Sequence, residues 1–372
     1  MTPTPRPTRT IPDAFVHETT EREGAAGAAW LAELPGIVAE LLDRWSCVPD
    51  GEVTHGAVGL IVPVRRRGAG VEGEGEAAVL KVSFPHPGNV HEPDAFAVWR
   101  GRGAVRLYER DDERFAMLLE RASSVTLAES WAGAEAGDGT ANGNRTANGN
   151  GNGSGSGSGN GNGNGNGTAN DTGTGSRVSD ALATVAGRLS RRLAVPAPPG
   201  LPRLADRAAT WDAELRRDDA ELAHSLPRRT VDAAVATVHE LARTQPDLML
   251  HGDFHARNIL RAEREPWLAV DPKGCAGDPA YDGGSLLKAR VPALLDAPDL
   301  GRAVHRLLDV YAEAAELDRE RVRRWSQLHA VQAAFWGRRH GFRLTRARSA
   351  HANAGTDPLV RAAEHLAQLL TD

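Results

Sequence analysis

The chain has 372 residues, 41% hydrophobic and 25% charged, with a formal net charge of −5. That is enough for two domains, and a net negative, interspersed charge excludes general attraction to nucleic acid or anionic membrane. Its two cysteines, Cys47 and Cys275, exclude a disulfide scaffold.

Residues 1–11 are rich in Pro and Thr and predict no fixed structure. The opening MTPTPRPTRTIPDAF lacks the apolar centre of a signal peptide. No uninterrupted apolar run of about 18 residues occurs, so no membrane-spanning helix is expected. A cytoplasmic chain with reduced thiols is the simplest reading.

Over 23–45, Trp30, Leu31, Leu34, Ile37, Val38, Leu41 and Leu42 recur with helical period, interrupted by Pro35. Strand patterns follow at Val58–Val64 and Ala77–Phe84, joined by the Gly- and charge-rich turn RRRGAGVEGEGE. Two more are expected at Ala104–Glu109 and Phe115–Leu119. A small sheet with one or two helices therefore fills the first third of the chain.

Helical patterns dominate after Arg121, at Val178–Leu193, Arg203–Ala223, 231–244 with Thr230 as N-cap, 301–317, 319–345 and 358–370. Ahead of the first of these helices, residues 132–176 are nearly all Gly, Asn, Ser, Thr and Ala. Such a tract buries no apolar surface and predicts disorder. Lengthening a flexible loop costs only about 0.6 kcal/mol per doubling, so a large domain tolerates it.

The informative stretch is LHGDFHARNILRAEREPWLAVDPKGCAGDPAYDGGSLLK, residues 250–288. Asp253, Asn258 and Asp271 form an acid, an amide and a second acid, with a short apolar hairpin, Leu260 and Trp267–Val270, before the last. These residue types at these spacings suit phosphoryl transfer from a magnesium nucleotide. Asp253 accepts a hydroxyl proton; Asn258 and Asp271 offer the hard oxygens that Mg2+ prefers. His251 and His255 stand four apart, but no Glu follows His251 as in H-E-x-x-H, and zinc is not expected.

HGDxHxxN followed by DPKGxxGDPAYD closely resembles the aminoglycoside phosphotransferase family, within it the streptomycin 6-kinase and hydroxyurea phosphotransferase branch. AAVLKVSFPHPGNVHE (77–92), GRGAVRLYERD (101–111), MLLER (117–121) and VPAPPGLPRLADRAATW (195–211) extend the likeness. The resemblance implies an α+β, two-lobed protein-kinase-like fold. A mostly antiparallel β N-lobe would span 1–120 and a larger helical C-lobe 121–372, with the 132–176 tract inside the latter. It implies that Lys81 reaches the nucleotide phosphates, held by Glu92 at a helix start; Asp94 is the competing partner.

Gly56 and Ala57 fall where a phosphate loop is expected, although the loop is not a G-x-G-x-x-G match. Glu120 falls in the linker expected to meet adenine through backbone groups. His251 is expected to hold the catalytic loop and Asp282 to brace it. Lys273 either assists the transferring phosphate or pairs with Asp278 or Asp282.

Two departures stand out: Ala256-Arg257 replaces Pro-Gly, and Gly283-Gly284-Ser285 replaces a larger apolar residue. The expected protein is a monomeric enzyme using ATP and Mg2+ on a small-molecule acceptor, with no nucleic-acid or membrane partner. A streptomycin-type antibiotic is expected first and hydroxyurea second. The acidic stretch Asp309, Glu313, Glu316, Asp318, Glu320 leans toward a cationic acceptor, against solvation of a helix face. A metabolic small-alcohol kinase and a non-catalytic nucleotide binder remain as alternatives.

Overall fold

Alternation along two strands decides which way Lys81 faces. In the computed structural model, which describes residues 11–67, 75–140, 173–295, 297–342 and 357–371, β3 (Gly59–Arg66) pairs antiparallel with β4 (Ala77–Ser83). Leu60, Val62 and Val64 of β3 and Ala78, Leu80 and Val82 of β4 share one buried face. Successive side chains point to opposite faces, so Lys81, opposite Ile61 on β3 and Met117 on β6 (Ala116–Glu120), looks the other way.

The sheet runs β1-β3-β4-β6-β5, with β1 at Cys47–Pro49 and β5 at Leu107–Asp111; β2 (Thr54–His55) also pairs with β3. β1 and β2 are additions to the four expected strands. The first buried face is covered by α1 (Asp13–Arg44), whose Phe15, Leu34 and Leu41 are fully buried. By length and composition alone α1 would pass as a membrane-crossing helix. Its Phe15, Trp30, Leu31, Leu34 and Leu41 are buried with this sheet, and Gly24, at φ 61° and ψ −136°, breaks the helix in two.

The opposite face joins the larger core. Met117 and Leu119 of β6 pack there with Phe96 and Trp99 of α2 (Glu92–Trp99). Trp99 donates its indole N–H to the Leu193 carbonyl at 2.8 Å, so α2 is tied to the helical lobe.

That lobe comprises α3 (Leu127–Thr140), α4 (Gly173–Leu193), α5 (Ala208–Glu221), α6 (Arg228–Thr237), α7 (Tyr281–Leu294), α8 (Leu300–Ala315), α9 (Arg319–His340) and α10 (Pro358–Leu369). Trp131 is fully buried and anchors α3. Helices α3 and α4 extend into the Gly/Asn/Ser tract as far as Thr140 and from Gly173; the rest of it, and residues 1–10, lie outside the described residues. Thr230, expected as an N-cap, sits inside the first turn of α6, fully buried, where its carbonyl accepts from Gln327 Nε2 at 2.9 Å.

Two small antiparallel pairs frame the loop beneath the sheet. β7 (Leu248–Leu250) pairs with β10 (Cys275–Gly277), and β8 (Ile259–Arg261) with β9 (Trp267–Ala269). The first pair carries His251–Asp253 at one end, and the second delivers Asp271.

Candidate active site

Lys81 is the hinge of the site. Its Nζ lies 2.6 Å from Glu92 Oε1 and also contacts Asp271 Oδ1, so three elements distant in sequence meet at one ammonium. Burial opposes the charge on Lys81, but Asp271 and Glu92 outweigh it and hold the ammonium above its usual range. Burial and the nearby Asp271 push the Glu92 carboxyl upward, against the pull of Lys81. Burial also opposes charge on Asp271, yet Lys81 and then Lys273 hold its carboxyl below the ordinary range. Asp94, the competing partner, is instead engaged by Arg110 at 2.9 Å and His91 at 2.9 Å.

Asp271 has a φ of 58°, a left-handed conformation rare for a residue with a side chain. A Cβ placed on Gly56 would lie 4.0 Å from Asp271 Oδ2, so the β2–β3 turn passes over that carboxylate. The turn is closed by the Gly56 amide donating to the Gly59 carbonyl at 2.9 Å. Arg22 of α1 donates to the Ala57 carbonyl at 2.8 Å, and Phe15 packs on His55 with ring centroids 5.2 Å apart.

The loop after β7 is held by His251 and Asp282. The amides of His251 and Gly252 donate to Asp282 Oδ2 and Oδ1 at 3.0 and 2.9 Å. Burial pushes the Asp282 carboxyl up to about 7 despite these donors. His251 faces the Val270 carbonyl through Nε2 at 2.8 Å and accepts from the Asp253 amide at Nδ1, 3.3 Å. A carbonyl on one side and an N–H on the other fix the neutral Nε2–H tautomer, and burial lowers its pKa to about 4.

Asn258 is buried and donates Nδ2 to the Asp253 carbonyl at 3.1 Å. That leaves its Oδ1 as an acceptor. Asp271 likewise commits Oδ1 to Lys81 and keeps Oδ2. Lys273 makes no ion pair with Asp278 or Asp282: Asp278 takes Arg321 at 2.6 Å and the Trp325 indole at 2.8 Å. Its charge bears on Glu92 and Asp271 instead.

In the linker, the Glu120 amide donates to the Arg106 carbonyl at 2.8 Å. Its carboxylate takes Arg264 at 2.8 Å. Both groups are engaged within the protein, so any contact of Glu120 with a base would have to use its carbonyl.

Beside Asp253 lies a cavity of about 390 Å³, walled by α7, α9 and α10. Arg257, Lys288 and His329 line it with Leu287, Ala330 and Leu366. Read from the sequence, these residues carry no acceptor role: Arg257 stands out only in the Ala256-Arg257 departure, and His329 reads as core packing. His329 sits in the wall of α9 among ordinary core positions, and Lys288 reads as a surface lysine. The departure Gly283-Gly284 was the available signal. A Cβ at Gly283 would come within 3.0 Å of both Val322 and Tyr311, and one at Gly284 within 2.6 Å of the His329 ring. The glycine pair is therefore a packing requirement between α7 and its neighbours.

Residues 44–142 and 175–341 match the family described as aminoglycoside/hydroxyurea antibiotic resistance kinase. A streptomycin 6-kinase of Streptomyces glaucescens is 33% identical over 326 residues, 88% of this chain and 90% of that protein. One of Streptomyces griseus is 31% identical over the same shares. A hydroxyurea phosphotransferase of Kitasatospora aureofaciens is 32% identical, over 88% of this chain and 79% of that protein.

Proposed function

The chain belongs to the aminoglycoside/hydroxyurea antibiotic resistance kinase family, and we propose that it moves the terminal phosphate of ATP to a hydroxyl of a small antibiotic-type acceptor. The observation that carries this reading is the convergence of Lys81, Glu92 and Asp271 above the loop that bears Asp253 and Asn258.

In this reading Lys81, fixed by two carboxylates, meets the nucleotide phosphates under the Gly56–Ala57 turn. Asp253 orients the acceptor hydroxyl and takes its proton late, as suits a dissociative transfer. Asn258 Oδ1 and Asp271 Oδ2 are the oxygens that would hold Mg2+, which takes one or two carboxylates with phosphates and waters. When bound there, the ion would supply positive charge to offset the negative charge on the phosphates. His251 and Asp282 keep the loop in place without touching the reacting atoms.

A non-catalytic nucleotide binder would have no use for Asp253 in addition to Asn258 and Asp271. The test is ATP consumption by purified protein, with product masses, across streptomycin, other aminoglycosides, hydroxyurea and simple alcohols. Phosphorylated antibiotic is the expected product. Transfer confined to simple alcohols would replace this reading with a metabolic kinase.

A further inference from the structure

The cavity beside Asp253 has an unexpected charge pattern for a resistance kinase of polycationic drugs. Asp253 is its one carboxylate among the described residues. Arg257 and Lys288, both exposed, line it, and neither has an ion-pair partner among those residues. The acidic stretch at the α8–α9 junction lies elsewhere: Glu316 contacts Arg191, Glu313 pairs with Arg319 at 3.3 Å, and Glu320 with Arg323 at 2.7 Å. Asp318 caps α9 through the Arg321 amide at 2.8 Å.

A second observation points to a ligand. His329 is 6% exposed, and its buried Nε2 has no hydrogen-bond partner. Its ring is fixed by Tyr281, with centroids 4.3 Å apart, and by the bare backbone of Gly284. Burial, with Lys288 adding to it, keeps this imidazole neutral. Buried polar atoms are rarely left unpaired, so an orphaned nitrogen on a residue that lines this cavity marks where a polar group of a ligand docks.

We propose that the acceptor is compact and carries no cation: an uncharged or anionic hydroxyl compound whose polar group hydrogen-bonds His329 Nε2, with Lys288 and Arg257 selecting against positive charge. This rests on the reading that Asp253 receives the acceptor hydroxyl. A bis-guanidinium compound requires carboxylates placed for bidentate pairing, and Asp253 alone does not supply them.

The probes are hydroxyurea, small and neutral, and streptomycin, which carries two guanidinium groups, each assayed with ATP and by product mass. The wild-type protein is expected to favour hydroxyurea by at least about tenfold in kcat/KM, the factor that corresponds to ~1.4 kcal/mol. Lys288→Glu with Arg257→Glu is expected to move that ratio toward streptomycin by about tenfold or more, with KM for ATP unchanged. His329→Phe, which keeps a ring, is expected to raise KM for hydroxyurea and leave KM for ATP alone. A wild-type preference for streptomycin, or a ratio unmoved by charge reversal, overturns the proposal while leaving the phosphotransferase reading intact. Transfer to uncharged or anionic alcohols but to neither drug upholds it and overturns the antibiotic reading. Transfer to no acceptor overturns both.

Discussion

Gly284 and His329 touch backbone to ring: a Cβ on the glycine would stand 2.6 Å from His329 Cδ2. The imidazole therefore occupies the space where α7 would carry a side chain. An alanine ordinarily favours a helix over glycine by ~1 kcal/mol. At this position overpacking, typically 1–3 kcal/mol, outweighs that gain. Gly284→Ala is expected to lower the melting temperature and to raise KM for the acceptor more than KM for ATP. A variant as stable as wild type, with both KM values unchanged, would show that the contact is not constraining.

Asp253→Ala tests the transfer step. Among the described residues no hydrogen bond or ion pair joins the Lys81–Glu92–Asp271 cluster to the Asp253 carboxylate, which lies 3.7 Å from His255 Nε2. Nucleotide binding should survive while kcat falls by roughly 10²–10⁴-fold, the usual loss on removing a general base. Retention of more than about a tenth of kcat, well outside that range, would remove Asp253 from the role.

Much of this site was legible because its chemistry lies in short, spaced words. Lys81 in an apolar run, Glu92 eleven residues on, and the 251–271 segment each carry their own local signal, and the fold brings them together as expected. The wall of the cavity beside Asp253 was not legible. Arg257, Lys288, His329 and Leu366 come from one loop and three helices, and periodicity alone reads such positions as core or surface. The small strands β1 and β2 were missed for a related reason: runs of three and two residues are too short to show alternation. The start of α1 was hidden by Gly24, where the helix is broken.

Asp271→Asn should weaken the metal requirement's source. The change removes a negative charge beside Lys81 that a bound cation would also use, while Glu92 keeps its 2.6 Å contact with Lys81. Affinity for Mg-ATP is expected to fall, and the Mg2+ concentration giving half-maximal activity to rise. Calorimetric titration of nucleotide at several Mg2+ concentrations reads both. An unchanged metal dependence would contradict the assignment of Asp271 Oδ2 as a ligand.

Acidity should expose His329. Burial lowers its pKa to about 3, from an ordinary value of 6.5. A base whose folded pKa is depressed stabilises the fold above the unfolded pKa and loses that contribution as pH falls toward the folded value. His251, lowered to about 4, acts in the same direction. Asp282, raised to about 7, acts oppositely: it contributes most at low pH and loses that contribution as pH rises through about 7. Total stability therefore mixes signs, and the informative quantity is the difference between wild type and His329→Phe. Linkage gives ~2 kcal/mol of stability lost by wild type at His329 alone between pH 7.5 and 5. The phenylalanine variant should lack that loss and show a shallower acid slope in chemical denaturation. Equal slopes in the two proteins would mean that His329 reaches solvent protons freely, and that its Nε2 is not the sheltered partner an acceptor would need.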